Sequence, residues 1–324
     1  MEHSEVSADS EHSGSRRVPL PLLALGLAAL TAVTSWLFGN LPWVVSGFSW
    51  PTTEAAPIGS SSEGLAGVRL TIPLVAAFLP SLIAFTAIGA VAATLLPLLL
   101  TTRSSGHRRP AIGLVLLTLA VTTTVVTLVA RGTIEHHAAD AFAGDPRVLT
   151  GLVAVVGATT LVGAAFGTLA SLEAGFLPLA AALAAGQLPA WVHGFLVGAS
   201  SPGAHVHTAD TVAHALMALL MLAAFVLSVR RSAWWVLLWP VAVAMIWVAT
   251  PFGVMTVYLA GQLRPSAGLP GSLPDILSGG VDVFRASFWE SPQPRWPWLV
   301  AVVLAAAWTV FERRTRRSGP GSFG

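Results

Sequence analysis

The sequence contains no cysteine and no lysine, and only 10% of its 324 residues are charged. Without cysteine there are no disulfides, no thiolate metal sites and no thiol nucleophile. Without lysine there is no Schiff-base amine and no phosphate-loop lysine; all seventeen basic residues are arginine. A soluble domain carries about 25% charged residues, so the shortage of charge excludes an ordinary water-soluble fold. Carboxylates are missing from the middle of every long apolar run. That absence weighs against an ion-coupled transporter, which keeps buried acids for its coupling ion. Three catalytic signatures are also missing: G-x-S-x-G, G-x-x-x-x-G-K and H-E-x-x-H. No pair of carboxylates shares a helix face, so the sequence points away from an enzyme.

What is present is apolar. The chain is 54% hydrophobic, with a mean hydropathy of +0.74. Several of its apolar runs reach about 20 residues, the length that crosses a bilayer. They are continuous and rich in Leu, Ala and Val. Barrel strands instead alternate over about 10 residues, so helices are expected. The pI near 10.3 accompanies a net charge of only +2. The arginines therefore read as topology signals and not as a nucleic-acid surface.

The expected architecture is an all-α, polytopic integral membrane bundle of about eight helices with both termini cytoplasmic. Residues 1–17 are polar and end in Arg16-Arg17, a disordered cytoplasmic tail. The membrane domain runs over 18–311, with spans at 18–38, 70–100, 111–130, 148–170, 175–198, 209–229, 233–260 and 296–311. Residues 312–324 form a basic cytoplasmic tail. The run at 18–38 exceeds a signal-peptide core of 7–15 residues and lacks a clean cleavage site, so it is taken as a span. On this threading eleven arginines fall on the inner side and six on the outer side, the bias that sets orientation. The expected location is the plasma or inner membrane, crossed many times.

Finer features follow. The second span, 70–100, exceeds the bilayer thickness and holds Pro73, Pro80 and Pro97, so it should be kinked, tilted or begin outside the core. Pro240, Pro251 and Gly253 imply a kink in the seventh. Trp43, Trp50, Trp234, Trp235, Trp239, Trp296 and Trp298 stand where interfacial tryptophans belong. Thr122, Thr123 and Thr124 can bond carbonyls of their own helix. Gly163-x-x-x-Gly167 and Gly194-x-x-x-Gly198 allow close helix approach. Gln187 is the one amide deep in a span and is expected to bond a neighbouring helix. Between 272 and 288 a stripe of Leu273, Ile276, Leu277, Val281, Phe284 and Phe288 predicts an amphipathic helix on or over the outer surface, with Ser272 and Asp275 as a capping box.

The one gathering of polar chemistry at a single membrane level is His193–His214, where four of the nine histidines and Asp210 lie within twenty-two residues. His193 near the end of the fifth span and His214 near the start of the sixth should sit at matched depth, about 7 Å below the outer surface at 1.5 Å per residue. Asp210 and His214 are four apart and share a helix face. His205 and His207 could close over them. Imidazole and carboxylate together suit a divalent transition metal or a proton relay. The candidate metal residues are thus His193, His214, Asp210, His205 and His207.

Three functions remain open. The sequence favours a non-enzymatic scaffold or interaction protein of the cell envelope, whose partners are the lipid bilayer and other membrane or envelope proteins. A small-solute transporter or channel is the first alternative, and a metal- or haem-handling protein using the outward histidines is the second. No particular cofactor is implied, and no nucleic-acid partner.

Overall fold

The computed structural model describes residues 20–47, 70–101, 108–137, 146–199, 206–230, 232–263, 273–290 and 296–317. These residues form helices α1 (Leu20–Val45), α2 (Leu79–Thr101), α3 (Arg108–His137), α4 (Pro146–Leu172), α5 (Leu177–Ala199), α6 (Val206–Val229), α7 (Trp239–Gln262), α8 (Leu273–Glu290) and α9 (Trp296–Arg317). Short 3-10 turns precede α2, α5 and α7, and no strand occurs among the described residues. Seven of the helical segments are long and apolar enough to cross a membrane, and Pro297–Glu312 is a shorter apolar helix. The protein is a multi-span helical membrane protein.

In lipid, burying one more leucine adds little, because the tails are as apolar as the core. Helices associate through close packing and interhelical hydrogen bonds. The sequence supplies both. At the crossing of α1 and α2, Gly39 and Gly89 face each other: a Cβ on Gly39 would lie 2.9 Å from the Gly89 Cα, and one on Gly89 would lie 2.5 Å from the Ser35 carbonyl oxygen. At the crossing of α2 and α4, Gly163 packs on the Ala87 carbonyl and Gly167 on Thr94 and Val91. Thr86 and Thr159 share a hydrogen bond of 2.6 Å between these two helices, and the Ser171 hydroxyl donates to the Thr94 carbonyl at 3.1 Å. The α4 pair of the two glycine motifs is therefore a contact motif. Gly194 of the other pair sits at ordinary distances, 3.4 Å from Phe85 and 3.6 Å from Pro42.

α2 is the hub. It touches α1, α3, α4, α5 and α7, and Leu82, Ala84, Ala93 and Thr94 are fully enclosed. α3 lies at the rim, with Leu117, Val121, Val125 and Leu128 exposed where acyl chains would lie. A first core joins Trp43, Leu70, Ile72, Leu74, Leu82, Ile134, Leu149, Leu259 and Ile276. A second joins Met217, Met221, Phe225, Trp239, Ile246, Ala301 and Ala305 of α6, α7 and α9. Arg230 and Glu312 approach to 3.7 Å where α6 and α9 end. These residues define two ends of the bundle, the Trp43 end and the Arg230 end.

Several expectations are corrected. The first helix does not stop at Phe38 but runs through Pro42 to Val45. Proline there lacks the N–H that would bond the Phe38 carbonyl. The Trp191 indole N–H donates to that carbonyl at 3.1 Å and to the Gly39 carbonyl at 3.0 Å, so the helix survives. Trp43 is no interfacial anchor. It is buried, and its indole N–H donates to the Leu70 carbonyl at 2.8 Å. The stretch 70–78 is not the start of a kinked helix. It is an extended lead-in with a single 3-10 turn, and α2 begins at Leu79. Its buried backbone is satisfied in part by Trp43 and in part locally, by short bonds such as Leu74 N–H to the Ile72 carbonyl. The Thr71 hydroxyl donates to the Val126 carbonyl at 3.0 Å. Trp239 is buried against Phe225, with ring centroids 4.6 Å apart, and Trp235 packs over Gly175 and Phe176. Of that trio only Trp234 is exposed. Trp50 and the tail 1–17 lie outside the described residues, as does the end of the basic tail; α9 continues through the rest of it to Arg317.

The amphipathic helix is present as α8, but it packs along α7. Gly279 and Gly280, which weaken the helix itself, allow this: a Cβ on Gly279 would meet the Tyr258 ring, and one on Gly280 the Leu259 side chain. Ile276 is buried there, while Leu277 and Val281 of the expected stripe face outward. Ser272 lies outside the described residues.

Candidate functional site

A cavity of about 640 Å³ opens at the Trp43 end between α1, α2, α5, α6 and α7. It lies where helices end or carry a proline. α1 ends beside it, with Ser46 at the rim and Gly47 turning the chain at a φ of 71°, a conformation that favours glycine. α2 starts beside it with Pro80 and Ser81. α5 carries Pro189 in its wall, and α7 contributes Ala249, Thr250 and Gly253 around Pro251. Proline inside a helix removes one backbone bond and displaces the preceding turn. Four helices thus carry a proline at or beside this space, where tight packing would otherwise be easiest.

The cavity is deep. Gln187 and Gly186 line it. Gln187 lies about 18 Å from the end of α5 at 1.5 Å per residue, near the middle of a 23-residue helix. A hydrocarbon core of about 30 Å has its midplane at that depth. Where α5 and α7 cross, a Cβ on Gly186 would lie 2.5 Å from the Ala249 Cβ. Both of these small residues line the cavity. A second cavity of about 510 Å³ shares Gln187 and Ala249 in its lining.

The polar groups of the first cavity are few. Ser46, Ser81, Gln187, His193, Asp210, Thr250 and Thr256 line it, and among the described residues no arginine does. The Ser46 hydroxyl donates to the Trp43 carbonyl at 2.7 Å and the Thr256 hydroxyl to the Gly253 carbonyl at 2.7 Å, so both are partly engaged. Gln187 was expected to bond a neighbouring helix. Instead Gln187 lines both cavities, and its amide makes no hydrogen bond among the described residues.

Of the five residues proposed as a metal site, the structure brings two to one cavity. His193 and Asp210 line it from α5 and α6, and both are exposed to it. His214 is turned away. Its Nδ1 lies 2.6 Å from the backbone carbonyl of Asp210 in the preceding turn, and the ring does not line the cavity. His207 is exposed on the first turn of α6, and His205 lies outside the described residues. Among the described residues no three His, Asp or Glu side chains come together as a metal would need. The sequence reasoning missed Ser81 and Thr250 as wall residues. The available signal was the recurrence of a proline two or three residues after a small residue, at Gly186-x-x-Pro189 and Ala249-x-Pro251.

No family model, characterised protein or solved structure matches this chain.

Proposed function

We propose that the protein binds a small polar solute in the end-opening cavity and passes it across the membrane between α5 and α7. One observation carries this reading: a cavity of about 640 Å³ runs from the Trp43 end to Gln187 at mid-helix. A scaffold needs surfaces, and a bundle of this size can pack without such a space. Carriers hold their substrate near the midplane, at interrupted helices. The barrier is the Gly186–Ala249 contact, and Pro189 and Pro251 lie within one turn of it. These are the places where α5 and α7 can bend apart with few backbone bonds to break.

The lining selects by charge. Among the described residues, Asp210 is its one carboxylate and His193 its one imidazole, and no guanidinium lines it. A neutral hydroxylated solute or a small organic cation fits this set, and a phosphate does not. The arginine bias places the mouth on the outer face.

Two experiments test the reading. The chain has no native cysteine, so Ser81→Cys can be labelled cleanly in intact cells. An impermeant maleimide added outside is expected to react with Ser81→Cys and far more slowly with Gln187→Cys; labelling only after lysis would reverse the sidedness. In proteoliposomes, flux of glycerol or choline above protein-free leak is expected, and Gly253→Phe should abolish it. A Cβ at Gly253 meets nothing within 4 Å, so the ring fills the cavity without straining the fold. Wild-type flux equal to bare liposomes sinks the transport reading. Asp210→Asn should weaken choline uptake by roughly tenfold, about 1.4 kcal/mol, and leave glycerol unchanged.

A further inference from the structure

The second cavity identifies the solute more closely. It is about 510 Å³ in volume, with α4 and α7 as its flanks and α2 and α5 as its floor. Ala158, Val162, Val241 and Val248 on those flanks are exposed, so it opens sideways toward lipid. Only two of its lining residues are polar. Thr159 already donates to the Val155 carbonyl at 2.7 Å and pairs with Thr86. That leaves the Gln187 amide, which also lines the polar cavity, and the methyl of Ala249 is shared in the same way. A cavity with a few polar groups, open at one end, and an apolar space open to the bilayer thus share one amide-bearing residue at mid-helix.

The geometry points to an amphiphile as the ligand: an uncharged or singly cationic head in the end-opening cavity, and a single hydrocarbon chain in the lateral groove. This rests on the small-molecule reading above and narrows it. The groove has the right size. A methylene takes about as much room as a water molecule, roughly 30 Å³, so the space holds a chain of the length found in membrane lipids. The head assignment follows from the described lining, which carries a carboxylate and hydroxyls and, among those residues, no arginine. Gln187 stands where head and chain join, and its amide can bond an ester or a hydroxyl there. Lateral entry lets the chain stay in hydrocarbon throughout, while the head exchanges bulk water for the polar cavity.

The test uses the full chain in phosphatidylcholine nanodiscs with a trace of monoacylglycerol bearing a mid-chain diazirine. On illumination, crosslinks are expected at 158–162 of α4 and 241–252 of α7. Unlabelled monoacylglycerol should compete them away, and lysophosphatidic acid, its phosphate ester, should not. Val162→Trp and Val248→Trp each fill the groove from an exposed flank, and either should lower the labelling several-fold with an unchanged melting temperature. Crosslinks that spread equally over the exposed face of α3 and resist competition mean ordinary boundary lipid and overturn the inference. Equal competition by lysophosphatidic acid overturns the head assignment. If soluble solutes move but groove labelling never saturates, the amphiphile falls and the solute site stands. If Gly253→Phe alters neither flux nor labelling, both fall.

Discussion

Leucine in place of Gly39 or Gly89 is expected to lower stability by about 3 kcal/mol or more, at or beyond the upper end of ordinary overpacking costs. The reason is what each new side chain would strike. A Cβ on Gly39 overlaps the Phe85 carbonyl oxygen, and one on Gly89 lies 2.5 Å from the Ser35 carbonyl oxygen. Both obstacles are backbone, which cannot swing aside as a side chain can. The helices must separate, and the loss then spreads to the threonine and tryptophan contacts that depend on their closeness. The control is Gly113→Leu in α3, where a Cβ meets nothing within 4 Å. Thermal unfolding of the three variants in one detergent checks this. A Gly39→Leu midpoint equal to that of Gly113→Leu would contradict the α1–α2 crossing.

The second large effect couples a tryptophan to a proline. Trp191→Phe keeps the ring, including its stacking on Phe195 at 6.0 Å, but removes the indole N–H. The Phe38 carbonyl, on the lipid-exposed side, and the half-buried Gly39 carbonyl then lose a donor, which costs about 1–3 kcal/mol for a group left unsatisfied away from water. Pro42→Ala restores the backbone N–H that bonds the Phe38 carbonyl in a regular helix. The double variant Trp191→Phe/Pro42→Ala should therefore recover much of the loss. Additive effects of the two changes would mean that the indole and the missing amide do not serve the same carbonyl. Unfolding free energies from the four members of this cycle decide it.

Both predictions concern helix faces, and faces are what the sequence shows poorly here. His214 illustrates it. Four residues from Asp210, it shares a helix face with it, as the spacing requires. Yet its Nδ1 engages the Asp210 backbone carbonyl, and only Asp210 reaches the cavity. Gln187 illustrates it again. An amide deep in a span was expected to find a partner across the interface, but Gln187 lines two cavities instead. Trp43 and Trp239 look like interfacial residues by position along the chain and are core residues in three dimensions.

The sequence by itself determined the class, an all-helical chain with many membrane-spanning helices. That depends on local quantities: the length of an apolar run and the scarcity of charge. It marked the Gly163/Gly167 and Gly194/Gly198 spacings alike, and only the structure shows that the first pair is a close contact. Only the tertiary structure decided which side of each span faces protein. In water an amphipathic stripe declares the buried face. In lipid both faces are apolar, so rotation about each helix axis leaves almost no trace in composition. The cavity, the Gly186–Ala249 contact in its lining, the indole that caps a carbonyl beside Pro42, and the lateral groove that shares Gln187 all arise from that rotation and from helices brought together from distant parts of the chain.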